Sequence, residues 1–175
     1  MPSARGTLPW SPPSRSTHLL AAPVAAAVGA CPSALVAPID PDVADTTAFC
    51  AAYDVAPRSS ANCIVVIGRR GETTTYAAVI VLATGRADVN GVVRRHLGVR
   101  KISFASMDDA VSRTGMEYGG ITPIGLPSGW PVLIDEDVLA AGPVVVGSGL
   151  RRSKVLLDAA DLATLPGAQV LSLTL

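Results

Sequence analysis

The fold is decided by the stretch Cys63-Ile64-Val65-Val66-Ile67, followed by Gly68-Arg69-Arg70-Gly71 and then by Thr74–Leu82. The first run is short and wholly apolar, which is typical of a buried strand. Two glycines around a basic pair are typical of a turn, so the second apolar run is predicted to be the partner strand. The stretch therefore predicts a β-hairpin.

Helices and further strands surround this hairpin. Asp88 is well placed to cap a helix that Gly98 ends, and Ser106 to cap a short helix that runs to Thr114. Other helices are predicted over about 18–30, Asp42–Tyr53 and 158–164. Short strands are predicted over Ile102–Phe104, Val132–Ile134, Val144–Val146, Val155–Leu157 and about Val170–Leu173. The pattern predicts a mixed α+β domain.

Composition limits the classes of function. The chain has 175 residues, enough for one domain, and its formal net charge is zero. No global field attracts nucleic acid, so any contact with nucleic acid requires a local basic patch. Three cysteines in no short motif favour a reducing, cytoplasmic compartment over a disulfide framework. Two histidines and no Cys-x-x-Cys predict no metal site, and no nucleotide-binding glycine motif is present.

The N-terminal region supports two interpretations. Residues 1–17 are rich in proline and serine and are predicted to be a flexible leader before a domain over 18–175. The apolar run Leu19–Cys31 superficially resembles an export signal that ends at a lipoprotein-type Cys31. It is too short to span a bilayer and Pro23 interrupts it, so an ordinary packed helix is the preferred prediction.

A glycine- and proline-rich loop is the most informative candidate site. Glu117–Pro127 contains three glycines and two prolines, which exclude a continuous helix or central strand. Bare Gly119-Gly120 amides beside the hydroxyl of Thr122 can hold a small polar group. The same composition also suits a tight connection between a helix and a strand.

Several blocks of sequence, in order, resemble the YbaK/EbsC family of domains that hydrolyse misacylated tRNAs. They are Arg86–Lys101, Phe104–Ser106 with Asp108 and Asp109, Thr114-Gly115, Gly119–Pro123, Pro131–Asp135, and Val146–Gly149 with Arg152. The resemblance covers about residues 40–175. It implies one α+β domain with a curled, barrel-like, mostly antiparallel sheet and flanking helices. It also implies a mischarged tRNA as substrate, an aminoacyl-tRNA synthetase as a second candidate partner, no membrane, and neither metal nor organic cofactor.

The resemblance also suggests site residues. Hydrolysis of an activated ester mainly needs fixed donors for the oxyanion. The expected pocket wall and donors are Gly119, Gly120 and Thr122, with Lys154 as a catalytic cation. Expected substrate-binding residues are Asn62, Ile121, Pro123, Gly125, Ser148 and Gly149. Many members of the family have a lysine where this chain has Asn62. Lys154 lies about where others have an acid, so we expect it to replace the missing charge.

Basic residues and Cys63 complete the candidates. The expected tRNA-binding residues are Arg94, Arg95, Arg100, Lys101, Arg151 and Arg152, although a solvated surface is an equally good interpretation. Cys63 follows Asn62 on an apolar strand with no histidine nearby, so a core thiol is preferred over a nucleophile.

The preferred function is a free-standing hydrolase that deacylates a tRNA mischarged with a small amino acid, for example alanyl- or cysteinyl-tRNA for proline. The alternatives are a non-catalytic module that binds aminoacyl-tRNA ends or a synthetase, and a lipoprotein anchored at Cys31.

Overall fold

The computed structural model describes residues 1–175, which form eight strands and six short α-helices. The helices are α1 (Ala22–Ala27), α2 (Thr46–Tyr53), α3 (Arg94–Leu97), α4 (Met107–Thr114), α5 (Glu136–Ala140) and α6 (Ala159–Leu162). The strands are β1 (Leu35–Pro38), β2 (Ala61–Arg70), β3 (Thr73–Leu82), β4 (Lys101–Phe104), β5 (Val132–Asp135), β6 (Pro143–Gly147), β7 (Ser153–Asp158) and β8 (Ala168–Leu171).

The strands form two open sheets. The larger has the order β4-β2-β3-β5-β8, and the smaller has the order β1-β7-β6. Pairing is antiparallel except for β3 with β5 and β5 with β8, so the predicted mixed α+β class and mostly antiparallel pairing are confirmed. The expected curled, barrel-like sheet is not formed, because each sheet ends in edge strands. An isolated bridge between Ser60 and Val145 links the two sheets.

The predicted hairpin is present, but its turn is not where the sequence placed it. β2 continues through Arg70, which pairs with Thr73, so the turn is Gly71-Glu72 and not Gly68–Gly71. Gly71 has φ +60°, and a two-residue hairpin turn needs this left-handed conformation. The second half of β3, residues 77–82, is buried on both faces. Ala78 and Ile80 contribute to one hydrophobic cluster and Val79 to another.

Capping residues position the helices. The side chain of Ser106 accepts a hydrogen bond from the Asp109 amide at 3.2 Å and so begins α4, as predicted. Asp88 caps a π-helical segment, Val89–Val93, that continues into α3, and Gly98 ends α3 with φ +65°. Asp45 caps α2 with its side chain, so this helix begins at Thr46 and not at the predicted Asp42. β1 and α5 were not predicted.

The N-terminal residues pack on the rest of the chain. Ser11 and Val36 exchange backbone hydrogen bonds of 2.9 and 2.8 Å, and Leu8 is buried in the cluster that contains Phe49. The prediction of a flexible leader over 1–17 did not anticipate these contacts. The helix predicted over about 18–30 is reduced to α1 between two 3-10 turns, and Cys31 is buried in the core. The longest helices have eight residues, too few to cross a membrane.

Candidate active site

A groove of about 550 Å³ lies where the two sheets meet. One wall is the first half of β2, from Ala61 to Val65, and the start of α2 forms a second. Lys154 on β7 and Gly147 on β6 belong to the smaller sheet. Tyr118, Gly119 and Ile121 come from the glycine-rich loop, and Phe104 lies at the end of β4.

The glycine-rich loop is fastened to the turn that follows β6. Gly149 donates its amide hydrogen to the Gly120 carbonyl at 2.7 Å, and Glu117 donates to the Gly149 carbonyl at 2.8 Å. A carboxylate oxygen of Glu117 also accepts a hydrogen bond from the Arg151 amide at 2.8 Å. Three bonds therefore hold the loop rigidly at the edge of the groove.

The close approach of these two segments explains the adjacent glycines. A Cβ built on Gly120 would lie 2.7 Å from backbone atoms of Leu150, closer than real contacts allow. Gly119 has φ +88°, which residues with a side chain rarely adopt. Glycine at both positions is a steric requirement of this turn.

The backbone amides of the glycine-rich loop differ in whether they are free to donate a hydrogen bond to a ligand. The Gly120 N–H donates to the Glu117 carbonyl at 2.9 Å and cannot serve as a free donor, which corrects the expectation for that residue. The N–H groups of Gly119 and Ile121 make no hydrogen bond within the protein, and both residues line the groove. Free donors therefore lie on either side of Gly120.

Lys154 is a buried cation in the groove. Its Nζ donates to the Ala44 carbonyl at 3.2 Å and lies 5.1 Å from the centre of the Phe49 ring, and the residue is 8% exposed. Burial is the main cause that lowers its pKa, and the charge of Arg151 acts in the same direction. Asn62, on the opposite sheet, lines the same groove and accepts a hydrogen bond from Thr46 Oγ1 at 2.6 Å.

Thr122, predicted as a donor, and several predicted substrate-binding residues lie outside the groove. Thr122 is fully buried, and its hydroxyl has no hydrogen-bond partner. Pro123 and Gly125 line a different cavity, of about 630 Å³, beside α1. Ser148 is buried, and its hydroxyl bonds with that of Ser153 at 2.7 Å. Gly149 holds the loop but does not line the groove.

The predicted tRNA-binding residues separate into two groups. Arg94, Arg100 and Lys101 line a cleft together with Arg69, which the sequence did not single out. Arg95 is exposed outside this cleft. The other two arginines bond to carbonyl groups: Arg151 to those of Tyr118 and Pro41, and Arg152 to that of His18.

The thiols of the groove region are unsuited to nucleophilic catalysis. Burial raises the pKa of Cys63 to about 12 and also raises the pKa of Cys50. A thiol reacts as its thiolate, and Cys63 carries almost none near neutral pH. No group of three or more His, Cys, Asp and Glu side chains is arranged to hold a metal ion.

Comparison with known proteins is consistent with this geometry. A family model described as an aminoacyl-tRNA editing domain matches residues 40–165. The match contains β2, the glycine-rich loop and Lys154, and so includes every wall of the groove.

Solved structures share the fold. One is described as a proposed trans-editing enzyme for prolyl tRNA synthetase, with 24% identity, a TM-score of 0.70, and coverage of 80% of this chain and 85% of that one. A structure from work on grafting epitope backbones onto scaffold proteins has 22% identity, a TM-score of 0.69, and coverage of 80% and 86%. A hypothetical protein has 18% identity, a TM-score of 0.71, and coverage of 80% and 90%.

Proposed function

Because the chain belongs to the aminoacyl-tRNA editing domain family, we propose that it is a free-standing hydrolase that removes a small amino acid from a mischarged tRNA. The likeness to the structure described as a trans-editing enzyme for prolyl tRNA synthetase supports alanyl- and cysteinyl-tRNA for proline as the first substrates to test. The site is the groove between the two sheets.

In the proposed reaction, water attacks the carbonyl carbon of the ester that joins the amino acid to the terminal ribose. The carbonyl oxygen becomes an oxyanion in the tetrahedral intermediate, and collapse expels the ribose oxygen, which takes up a proton. The amino acid leaves as the acid. The ester is already activated, so the protein mainly has to stabilise the oxyanion and hold the carbonyl in position.

The free amides of Gly119 and Ile121 are the proposed oxyanion donors. Backbone N–H groups in a rigid loop need no reorganisation when charge develops on the substrate. Neither amide has an acceptor within the protein, and the loop that carries them is fastened by hydrogen bonds of 2.7–2.9 Å. These two amides, which have no acceptor within the protein and belong to residues that line the groove, are the observation that carries the proposal.

Lys154 is the proposed source of positive charge. A cation in a poorly solvated groove attracts an oxyanion or a phosphate more strongly than it would in water. The groove has room for a nucleoside with a small acyl group, since ligand pockets are commonly about 300–1,000 Å³ and this one is about 550 Å³. Asn62 supplies an amide where many family members have lysine.

The substitution at Asn62 also supports the second candidate, a module that binds aminoacyl-tRNA ends without hydrolysing them. Such a module keeps the groove and the affinity for tRNA but lacks turnover.

The test measures release of labelled amino acid from alanyl-, cysteinyl- and prolyl-tRNA for proline. The proposal expects the two mischarged tRNAs to be deacylated and prolyl-tRNA to be spared. Binding of all three without release would support the module instead. Gly29→Ala is the control for protein quality, because Gly29 has open space around it and lies outside the groove.

A further inference from the structure

A second cleft, of about 540 Å³, lies beside the edge strand β4. We call it the cation cleft, and its charged residues are Arg69, Arg94, Arg100 and Lys101. The remaining lining residues are Ile67, Asn90, Ile102 and Ser103, so no acidic side chain lines it. The chain as a whole has fourteen basic and fourteen acidic residues, so this cleft is a local concentration of positive charge.

None of the four cations forms a salt bridge with a carboxylate, although the charge of Arg69 acts on the nearby carboxylate of Asp109. The protein has one salt bridge, between Arg113 and Asp109, and none of the four residues is part of it. Arg94 instead bonds to the carbonyl oxygens of Asn90 at 2.9 Å and Arg100 at 3.4 Å, which hold its guanidinium without cancelling its charge. Four cations without a salt bridge, in a cleft that no acidic side chain lines, are suited to a polyanion such as a nucleic-acid backbone.

β4 joins the cation cleft to the groove. Lys101, Ile102 and Ser103 line the cleft, whereas Phe104, the last residue of the same strand, lines the groove. At about 3.3 Å a residue, the distance along the strand is about 10 Å, within the reach of one or two nucleotides. β4 is an edge strand, so one side of it is free of strand pairing.

Phe104 lies at the junction of the two cavities. Its side chain is 66% exposed, an unusual position for a large apolar ring. An exposed ring between an acyl-binding groove and a row of cations matches the way single-stranded nucleic acid binds proteins, with bases stacked on aromatic rings and phosphates held by basic groups.

We propose that the single-stranded 3′ end of the tRNA crosses β4, with its terminal base stacked on Phe104 and the preceding phosphates in the cation cleft. The proposal rests on the function proposed above and adds the route by which the substrate enters. It assigns Arg69 and Phe104 to tRNA binding, and leaves Arg95 and Arg152 outside the route.

The experiment compares two double variants of the full chain. Arg69→Gln/Lys101→Gln removes two cations from the cleft, and Arg58→Gln/Arg86→Gln removes two exposed arginines outside both cavities. Binding of uncharged, 5′-labelled tRNA for proline is measured by fluorescence anisotropy over a series of KCl concentrations. Hydrolysis of 3′-O-alanyl-adenosine, which has no phosphate, is measured in parallel.

We expect the cleft variant to bind tRNA on the order of ten-fold more weakly at low salt. The slope of log binding constant against log salt concentration should be smaller by about 1 for each phosphate that the variant no longer neutralises. Hydrolysis of alanyl-adenosine should stay within about two-fold of wild type, because that probe has no phosphate for the cleft to bind. The control variant should match wild type in both assays. Phe104→Ala should raise the KM for both tRNA and alanyl-adenosine by roughly 5- to 100-fold, and Phe104→Trp should restore it.

Equal weakening by the cleft and control variants, or no binding of tRNA by wild type, would overturn the proposed route. A loss of alanyl-adenosine hydrolysis in the cleft variant that matches its loss of tRNA binding would also overturn it. Failure of the proposed function looks different. In that case wild type releases no amino acid from any substrate, while the cleft variant still binds tRNA more weakly than the control.

Discussion

Gly120 and Leu150 approach so closely that a Cβ built on Gly120 would lie 2.7 Å from the Leu150 backbone. The contact brings together the glycine-rich loop and the turn after β6, and it sets the position of the Gly119 and Ile121 amides. Because the neighbour is backbone and not the end of a flexible side chain, added volume must displace the loop.

Gly120→Ala should therefore damage the loop. We expect a loss of stability of about 1–3 kcal/mol, typical of overpacking, and a fall in deacylation larger than the loss of folded protein explains. Urea denaturation gives the free energy of unfolding, and amino acid release gives the rate. Gly29→Ala is the matched control, since a Cβ there meets nothing within 4 Å. Equal behaviour of the two variants would contradict the prediction.

Lys154→Met should make the protein more stable and less active. Lys154 is a buried cation with one hydrogen bond to a carbonyl and no carboxylate partner within salt-bridge distance. Removing the desolvated charge should stabilise the fold by about 1–3 kcal/mol, because methionine can fill the same space beside Phe49. Deacylation should fall on the order of 100-fold. A destabilised variant with normal deacylation would refute both expectations.

Lys154 should also make the free energy of unfolding of the wild type depend on pH differently from that of Lys154→Met. Burial lowers the pKa of Lys154 from the ordinary value of 10.5, so the unfolded chain binds the proton more tightly than the folded protein. The charged Lys154 therefore lowers the free energy of unfolding by its full amount at pH values below its pKa in the folded protein. This effect disappears as the pH rises from that pKa to 10.5, the pKa in the unfolded chain. The stability advantage of Lys154→Met should shrink over that interval in urea titrations. A stability advantage of Lys154→Met that grows with pH would contradict this prediction.

Moving the positive charge across the groove should restore activity. Asn62 and Lys154 line the same groove from opposite sheets. In the Lys154→Met background, Asn62→Lys should recover at least part of the lost deacylation, because the cation returns to the groove at the position where many family members have lysine. Thr47→Lys, also at the groove, is the control for charge alone. Equal recovery by both variants would show that position does not matter.

Cys63 should be dispensable for chemistry. Because burial raises its pKa to about 12, only a very small fraction of the Cys63 thiol is ionised near pH 7.5. Cys63→Ala should keep deacylation within a few-fold of wild type, and iodoacetamide at neutral pH should not inactivate the protein. Loss of activity on the order of 100-fold in either experiment would identify a nucleophile that this account excludes.

Local rules predicted much of the fold from sequence. The Ser106 cap, the Gly98 terminus and the apolar runs of β2 and β3 each depend on neighbours in the chain, and all three were correct in kind. The turn at Gly71-Glu72 was misplaced because Gly68 marks a different constraint. A Cβ at Gly68 would meet Val99, 2.8 Å away and distant in sequence. Whether the sheet closes into a barrel also depends on pairing between strands that are distant in sequence.

The sequence singled out some of the residues that line the candidate groove and missed others. The loop, Asn62 and Lys154 line one groove, although they come from three separate segments. Sequence could not show that the Gly120 amide is already bonded, or that Thr122 points into the core. It also missed Arg69, which joins Arg94 and Lys101 only through the pairing of β2 with β4. Each of these facts depends on contacts between distant residues.

The most direct test of the central claim removes one backbone donor and leaves every side chain in place. Replacing Ile121 with its α-hydroxy acid converts its amide to an ester and deletes the N–H, and the same change at Ser128, an exposed residue outside the groove, is the control. The measurement is the single-turnover rate of deacylation of alanyl-tRNA for proline. We predict a fall of about 10²–10³-fold for Ile121 and none for Ser128. An unchanged rate in the Ile121 ester would contradict the proposal that this main-chain donor stabilises the oxyanion.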